Sequence, residues 1–272
     1  MASTTSPFPQ IAAAYCVYDD DEWLPCSIAS VYPLLGAIYF FVSDVPWNGP
    51  ATGNQRTLET IRNFPDPDNK IRVIEGHWTD QPTQRNEACA ILAVDGFAHM
   101  FIIDADEVYE SDHLRSMLNY ALQRPEVHCW HALFVVFWKS HRYRIDPPEE
   151  HHPPILLELG TGGFVEYRNP RCPEHDLIPP ELGMCFHMSY ARSDAQILRK
   201  ITSCSFAPLV RENWYQLTWK AWDGDRTITD LCPYNPGVFE RAIEVDFAVL
   251  PTAIQRYVEN PACFGVRASS LN

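Results

Sequence analysis

From residue 11 to residue 138, short apolar runs alternate with helix-spaced segments, and that alternation leaves few architectures open. Residues 11–18 read as a first strand. Residues 23–35 carry apolar positions at helical spacing (Leu24, Ile28, Val31), and Gly36 closes the helix. Residues 37–42, 71–75, 99–103 and 129–138 read as further strands; residues 57–64, 81–94 and 113–122 read as helices. A β-α-β-α-β-α-β order calls for an open, mostly parallel sheet with helices on both faces. Ligands of such sheets gather at the carboxyl ends of the strands. Asp19, Asp44 and Asp104 all fall there, so one ligand can touch all three. Acidic residues also cap such turns for purely structural reasons. Asp20, Asp21 and Glu22 read as that kind of feature, a solvated helix start.

The sharpest local feature is Asp104-Ala105-Asp106-Glu107, directly after Met100-Phe101-Ile102-Ile103. A buried strand that stops at an acidic triplet delivers carboxylates to the end of a sheet. Two carboxylates at i and i+2 can converge there on one hard cation, and Mg²⁺ and Mn²⁺ commonly share oxygen ligands with substrate phosphates. A helix N-terminus that favours acidic residues explains the triplet equally well on its own.

Composition narrows the classes. A chain of 272 residues with 46% apolar content can build a sizeable core, as one large domain or two small ones. The formal net charge is −14, with no run of five basic residues. Non-specific nucleic-acid binding draws its affinity from Lys and Arg on phosphates, so that class is disfavoured. A local basic pocket for a small phosphorylated ligand stays open. Nine cysteines, at 16, 26, 89, 129, 172, 185, 204, 232 and 263, form no C-x-x-C pair, so their spacing supports no structural zinc site. They suit reduced, mostly buried thiols in a cytosolic protein. Residues 1–10 carry no leader pattern, and no apolar run is long enough to span a bilayer. The expected localisation is cytoplasmic.

Residues 146–181 break the alternation. They are rich in Pro, His and Glu, with Gly160-Thr161-Gly162-Gly163 in the middle, and read as irregular, substrate-facing structure. Residues 184–190 form a short apolar strand holding His187. Residues 194–202 are helical, with Arg199 and Lys200 near the end.

Taken in order, these stretches resemble family 2-like glycosyltransferases of the GT-A fold. The resemblance rests on the early acidic strand end, Ser43-Asp44, Arg85-Asn86 and Asp104-Ala105-Asp106-Glu107. It continues through Phe186-His187-Met188-Ser189-Tyr190 with Arg192, Arg199 and Lys200, and Pro233-Tyr234-Asn235-Pro236-Gly237. It implies an α/β, Rossmann-like open mixed sheet over residues 10–255. The nucleotide-sugar half would be about 10–125, the acceptor and catalytic half about 126–255, and a C-terminal tail 256–272. It implies transfer of a sugar from a nucleotide donor, usually a UDP-sugar, with Mn²⁺ or Mg²⁺. Asp106 and His187 would ligate the metal, with Asp104 at the ribose and beside the metal. Neutral imidazole suits Mn²⁺ better than Mg²⁺. Tyr15, Asp19 and Asp44 would meet nucleobase and ribose. Arg85 would fix Asp104 or a phosphate, with Asn86 beside it; an exposed surface charge is the competing reading of Arg85. Arg192, Arg199 or Lys200 would reach the pyrophosphate, unless they serve as cations near the end of a helix. An inverting mechanism needs a carboxylate base between the triplet and His187. Asp176 is the first candidate, then Glu174, then Glu158. The donor sugar, the acceptor and the oligomeric state are not encoded in any motif.

Two other functions use the same residues. A nucleotidyltransferase acting on a sugar phosphate would carry a Gly-rich basic loop after the first strand, and residues 15–26 are acidic without glycine. A non-catalytic carbohydrate-binding protein would use the eight tryptophans, together with His141, His151 and His152, as sugar-stacking surfaces.

Overall fold

The computed structural model describes residues 6–224 and 227–265. Residues 1–5 of the stretch read for a leader, and residues 266–272 of the expected tail, lie outside the described residues. The chain folds as a mixed α/β protein built on two large sheets and one two-stranded sheet. The first half supplies β1 (Phe8–Val17), α1 (Leu24–Val31), β2 (Leu35–Ser43), α2 (Gln55–Asn63), β3 (Ile71–Gly76), α3 (Gln81–Val94) and β4 (His99–Ile103). The chain continues through β5 (Glu107–Val108), α4 (Ser111–Leu122), β6 (Cys129–His131), β7 (Phe134–Trp138), β8 (Tyr143–Asp146) and β9 (Pro154–Glu158). Then come β10 (Gly163–Glu166), β11 (Asn169–Arg171), β12 (His175–Leu177), β13 (Cys185–Tyr190), α5 (Asp194–Ser203), β14 (Arg241–Glu244) and α6 (Thr252–Glu259).

The larger sheet has the order β12-β6-β9-β4-β1-β2-β3. Neighbours β4, β1, β2 and β3 are parallel, and β9 alone runs against its neighbours β4 and β6. Period-two alternation explains why β1 is buried on both faces. Ile11, Ala13, Tyr15 and Val17 face a core shared with α1, α2 and α4, while Ala12, Ala14 and Cys16 face α3. Each fully buried Ile, Leu or Phe in these layers stabilises by about 1.5–3 kcal/mol relative to exposure. The second sheet, β14-β8-β7-β13-β5, buries Trp138 of β7 on one side against Trp214, Trp219 and Trp222, and packs on the other against α6.

Several local expectations change. α1 ends at Val31, and Gly36 lies inside β2, where an added Cβ would collide with the Pro9 backbone of β1. The single strand expected over residues 129–138 is two. β6 belongs to the larger sheet and β7 to the smaller, with Ala132 and Leu133 at the crossing. Residues 146–181 are not merely irregular. They supply β9, inserted into the larger sheet, together with the β10–β11 hairpin and edge strand β12. The cysteines are unpaired, with Cys16, Cys26, Cys129, Cys185 and Cys232 buried. Among the described residues no helix is long and apolar enough to cross a membrane.

Candidate functional site

In the larger sheet the chain turns one way from β1 to β2 and β3, and the other way to β4. That reversal opens a crevice at the strand carboxyl ends. A cleft of about 360 Å³ lies there. Asp104, Ala105 and Asp106 span the gap from β4 to β5, so the triplet is the seam between the two sheets. Strand β13 pairs antiparallel with β5, setting His187 opposite Glu107, and Met188 N donates to Asp106 O at 2.7 Å. This register carries His187 to the triplet: its Nε2 lies 3.4 Å from Asp106 Oδ1. Ser193 then caps α5, its side chain accepting from Gln196 N. Gln196, Arg199, Lys200 and Ser203 follow at i, i+3, i+4 and i+7, one helix face, and all four line the cleft.

The carboxylates are densely compensated. Asp106 Oδ2 accepts from Arg192 Nη2 at 2.6 Å and from Lys200 Nζ at 2.9 Å. Burial alone would push the Asp106 carboxyl up; Lys200, Arg192 and His187 overcome it and hold the group well below the ordinary carboxylate range. Asp104 Oδ1 accepts from Arg85 at 2.7 Å and Oδ2 from Arg168 at 3.0 Å. Against the same burial cost, these two arginines lower its pKa. Glu107 is fully buried and accepts both Arg168 amino groups, yet burial still raises its pKa. Among the described residues, one group of three metal-capable side chains has its ligand atoms within 4.8 Å of one another: Asp106, Glu107 and His187.

The acidic run after β1 is not a solvated helix start. Asp19 adopts a left-handed conformation (φ 45°), with its N–H on Asn54 Oδ1 at 2.6 Å and its carboxylate 3.3 Å from Arg199. Asp20 takes a bidentate pair from Arg192, Asp21 accepts from Gln196, and Glu22 accepts from Ser193 N. The run clamps the start of α5 to the end of β1.

Of the residues expected at the site, Asp19, Asp104, Asp106, His187, Arg192, Arg199 and Lys200 meet in this cleft. Others do not. Tyr15 is fully buried, stacked on Phe40 with its hydroxyl on Ser27, because its position on β1 points into the core. Asp44 is 67% exposed, paired with His77, and absent from the cleft lining. Arg85 is no exposed charge: it is wholly buried and fixes Asp104. Asn86 holds Phe164 by two 2.8 Å backbone hydrogen bonds, tying α3 to β10. Arg192 is buried between Asp20 and Asp106, which makes it a positioning residue for the carboxylates. Glu174 and Asp176 lie exposed at edge strand β12, outside the cleft, since β12 pairs only with β6. Glu158 ends β9 opposite His99, the first residue of β4, and bonds His128 at 2.6 Å at the far end of the sheet.

Three features escaped the sequence reading. Arg168, from the β10–β11 turn, ties Asp104 to Glu107. Phe206 joins Trp47 and Tyr234, both met in the sequence, in an aromatic wall of the cleft. Glu149, just after β8, also lines the cleft. Burial raises its pKa, with nearby His187 opposing. Asp19, Asp20, Asp104 and Asp106 each have an arginine or lysine partner. Glu149 has no ion pair or hydrogen bond among the described residues. Its place between the triplet and His187 in the chain was the one available signal. No protein-family model matches this chain, and no curated protein matches it.

Proposed function

We propose that the chain transfers a sugar from a nucleotide-sugar donor, a UDP-sugar in the simplest case, to an acceptor nucleophile, with inversion and with a divalent cation. The GT-A form of the α/β fold is part of this proposal. One observation carries it: a carboxylate–imidazole pair, Asp106 and His187, shares with Arg199 and Lys200 one cleft at the crevice where the sheet order reverses.

The donor set fits a hard cation in part. Asp106 Oδ1 has no arginine or lysine partner and lies 3.4 Å from His187 Nε2. Both Asp104 oxygens carry an arginine, and Arg168 closes off Glu107, so neither is offered as a ligand. Asp106 and His187 would hold the ion, leaving its other positions to phosphate oxygens and water, as Mg²⁺ and Mn²⁺ favour. When bound, the ion supplies charge stabilisation for the departing diphosphate. Arg199 and Lys200 add fixed positive charge on the same side. Asp104, anchored by Arg85 and Arg168, presents a rigid acceptor for a ribose hydroxyl. Glu149 takes the role expected of Asp176 or Glu174. Its carboxylate is the cleft acid without a cation partner, so it can remove the acceptor proton as the new bond forms.

The test is thermal unfolding with nucleoside diphosphates and nucleotide sugars, with and without Mn²⁺. A ligand at a hundred times its Kd adds about 2.7 kcal/mol. One nucleotide should raise Tm in a Mn²⁺-dependent way, and Asp106→Asn should lose that dependence while keeping a native circular dichroism spectrum. A wild-type chain that no nucleotide stabilises would sink the reading.

A further inference from the structure

The cleft is built from two unlike kinds of residue. The seam and α5 bring the charged groups, Asp104 and Asp106 with Arg199 and Lys200. The second sheet and the chain after α5 bring the rest. Strands β8 and β14 pair antiparallel, with Asp146 level with Arg241. Glu149 follows Asp146 out of that ladder, and Phe239 leads into it ahead of Arg241, so both stand at the same end of the second sheet. Leu231 N donates to Phe239 O at 2.7 Å, and Arg211 N donates to Pro233 O at 2.8 Å. These bonds hold the run carrying Tyr234 against the segment after α5.

This wall is apolar and braced. Phe206 and Leu209 line the cleft and are 38% and 55% exposed. Tyr167, in the β10–β11 turn, stacks on Phe206 with ring centroids 4.6 Å apart, and Tyr234 meets Phe206 tilted at 5.4 Å. Trp47 Nε1 donates to Gln84 Oε1 at 2.9 Å, and the next residue, Asn48, donates from Nδ2 to Cys204 O at 2.7 Å. Large apolar side chains left open inside a cleft mark a ligand site. The polar groups around them are engaged with one another. The Tyr234 hydroxyl and the Cys204 thiol share a hydrogen bond of 3.3 Å, Ser203 Oγ donates to Arg199 O at 2.8 Å, and the Ser205 hydroxyl bonds the Gln81 side chain at 3.1 Å. Glu149 and Asn235 bring the wall a carboxylate and an amide, and neither side chain makes a hydrogen bond or ion pair among the described residues.

We propose that this wall binds a flat aryl alcohol, a phenol in the simplest case, as the acceptor, with its ring on Phe206, Leu209 and Tyr234 and its hydroxyl at Glu149. The acceptor role rests on the transfer reading above; the aryl site does not. Aromatic rings pack offset or edge-on with centroids about 4.5–7 Å apart, so a flat ligand extends the stack that Tyr167 and Phe206 begin. A saccharide needs hydrogen bonds for several hydroxyls, and each one buried without a partner costs binding. This wall serves one reacting hydroxyl at Glu149 and one further polar group at Asn235. In the transfer the phenol oxygen bonds the anomeric carbon. The bond from that carbon to the diphosphate oxygen breaks, its electron pair leaving with the diphosphate, and the phenolic proton passes to Glu149. A phenol, with an ordinary pKa of about 10, gives up that proton more readily than an aliphatic hydroxyl.

Calorimetry on the full chain tests this with two probes, 4-methylumbelliferone as a flat phenol and methyl glucoside as a polyol. The phenol should bind with or without nucleotide, and the glucoside should not. Phe206→Ser and Leu209→Ser, both at exposed positions, should weaken phenol binding about tenfold. Both variants should keep the Mn²⁺-dependent rise in Tm that a nucleotide gives the wild type. Absence of phenol binding overturns the proposal, and so does phenol binding that neither variant weakens. Glucoside binding that the variants weaken overturns it in favour of a saccharide acceptor. Loss of nucleotide stabilisation in Phe206→Ser overturns it as well, because the wall would then hold the nucleobase. If no nucleotide stabilises the chain while the variants still weaken phenol binding, the transfer reading falls and the aryl site stands.

Discussion

Glu149 differs from the other acids of the cleft in having nothing to hold its charge. Both oxygens of Asp104, and Oδ2 of Asp106, accept from arginine or lysine and serve as fixed charges. A carboxylate that must take up a proton needs a free lone pair and a pKa lifted toward the working pH, and burial supplies that lift at Glu149. Positioned bases contribute about 10²–10⁴-fold to rate. Glu149→Gln should therefore lower kcat by about 100-fold or more, while the nucleotide-dependent rise in Tm stays as in wild type. Asp176→Asn, at an exposed edge position, should change kcat little. The reverse ranking of the two variants would return the base to β12.

At the scale of elements, the β10–β11 hairpin is fastened to the end of β4 through one side chain. Arg168 donates to Asp104, to Glu107 and to the Ile102 carbonyl. Removing one member of a buried ion pair leaves an uncompensated charge and costs about 3–5 kcal/mol. Arg168→Met should destabilise by that amount in denaturant unfolding. Adding Glu107→Gln should recover part of it, because contacting residues are not additive. Simple additivity would mean the pair is not coupled. Arg168 also marks where the sequence stops being informative. α3 and β4 were legible to the residue, since Asp80 caps the one and an unbroken apolar run defines the other. The seam carboxylates and His187 were legible because each sits at the end of, or within, such a run. A continuous apolar stretch cannot reveal that residues 129–138 change sheets. Nor does any local pattern show β9 slipping between β4 and β6, or an arginine in a turn reaching back to β4. Those facts belong to contacts between distant segments.

Across the whole molecule, buried carboxyls pull stability in opposite directions with pH. Burial raises the pKa of Asp21, Glu22, Glu107 and Glu149, so their charged forms oppose folding at neutral pH. That opposition fades as pH falls through their folded values toward the ordinary value near 4. Asp66, Asp104 and Asp106 are held low, so their contribution is present above the ordinary value and is lost as pH falls through the folded one. Burial also lowers the pKa of His99, His131, His141 and His151, so their contribution is present above the ordinary histidine value and is lost as pH falls through the folded one. Stability should therefore fall steeply as pH drops below the ordinary carboxyl value near 4. Thermal melts from pH 3 to 8 would show it, and a Tm unchanged between pH 3 and 5 would contradict it. Because three consecutive residues carry the chain from one sheet into the other, Asp104 and Asp106 sit on the joint of the protein. Any loosening of either half, even at a remote tryptophan, would misalign Asp106 against His187 before it unravelled a strand. Damaged variants should lose turnover while still passing every assay for foldedness.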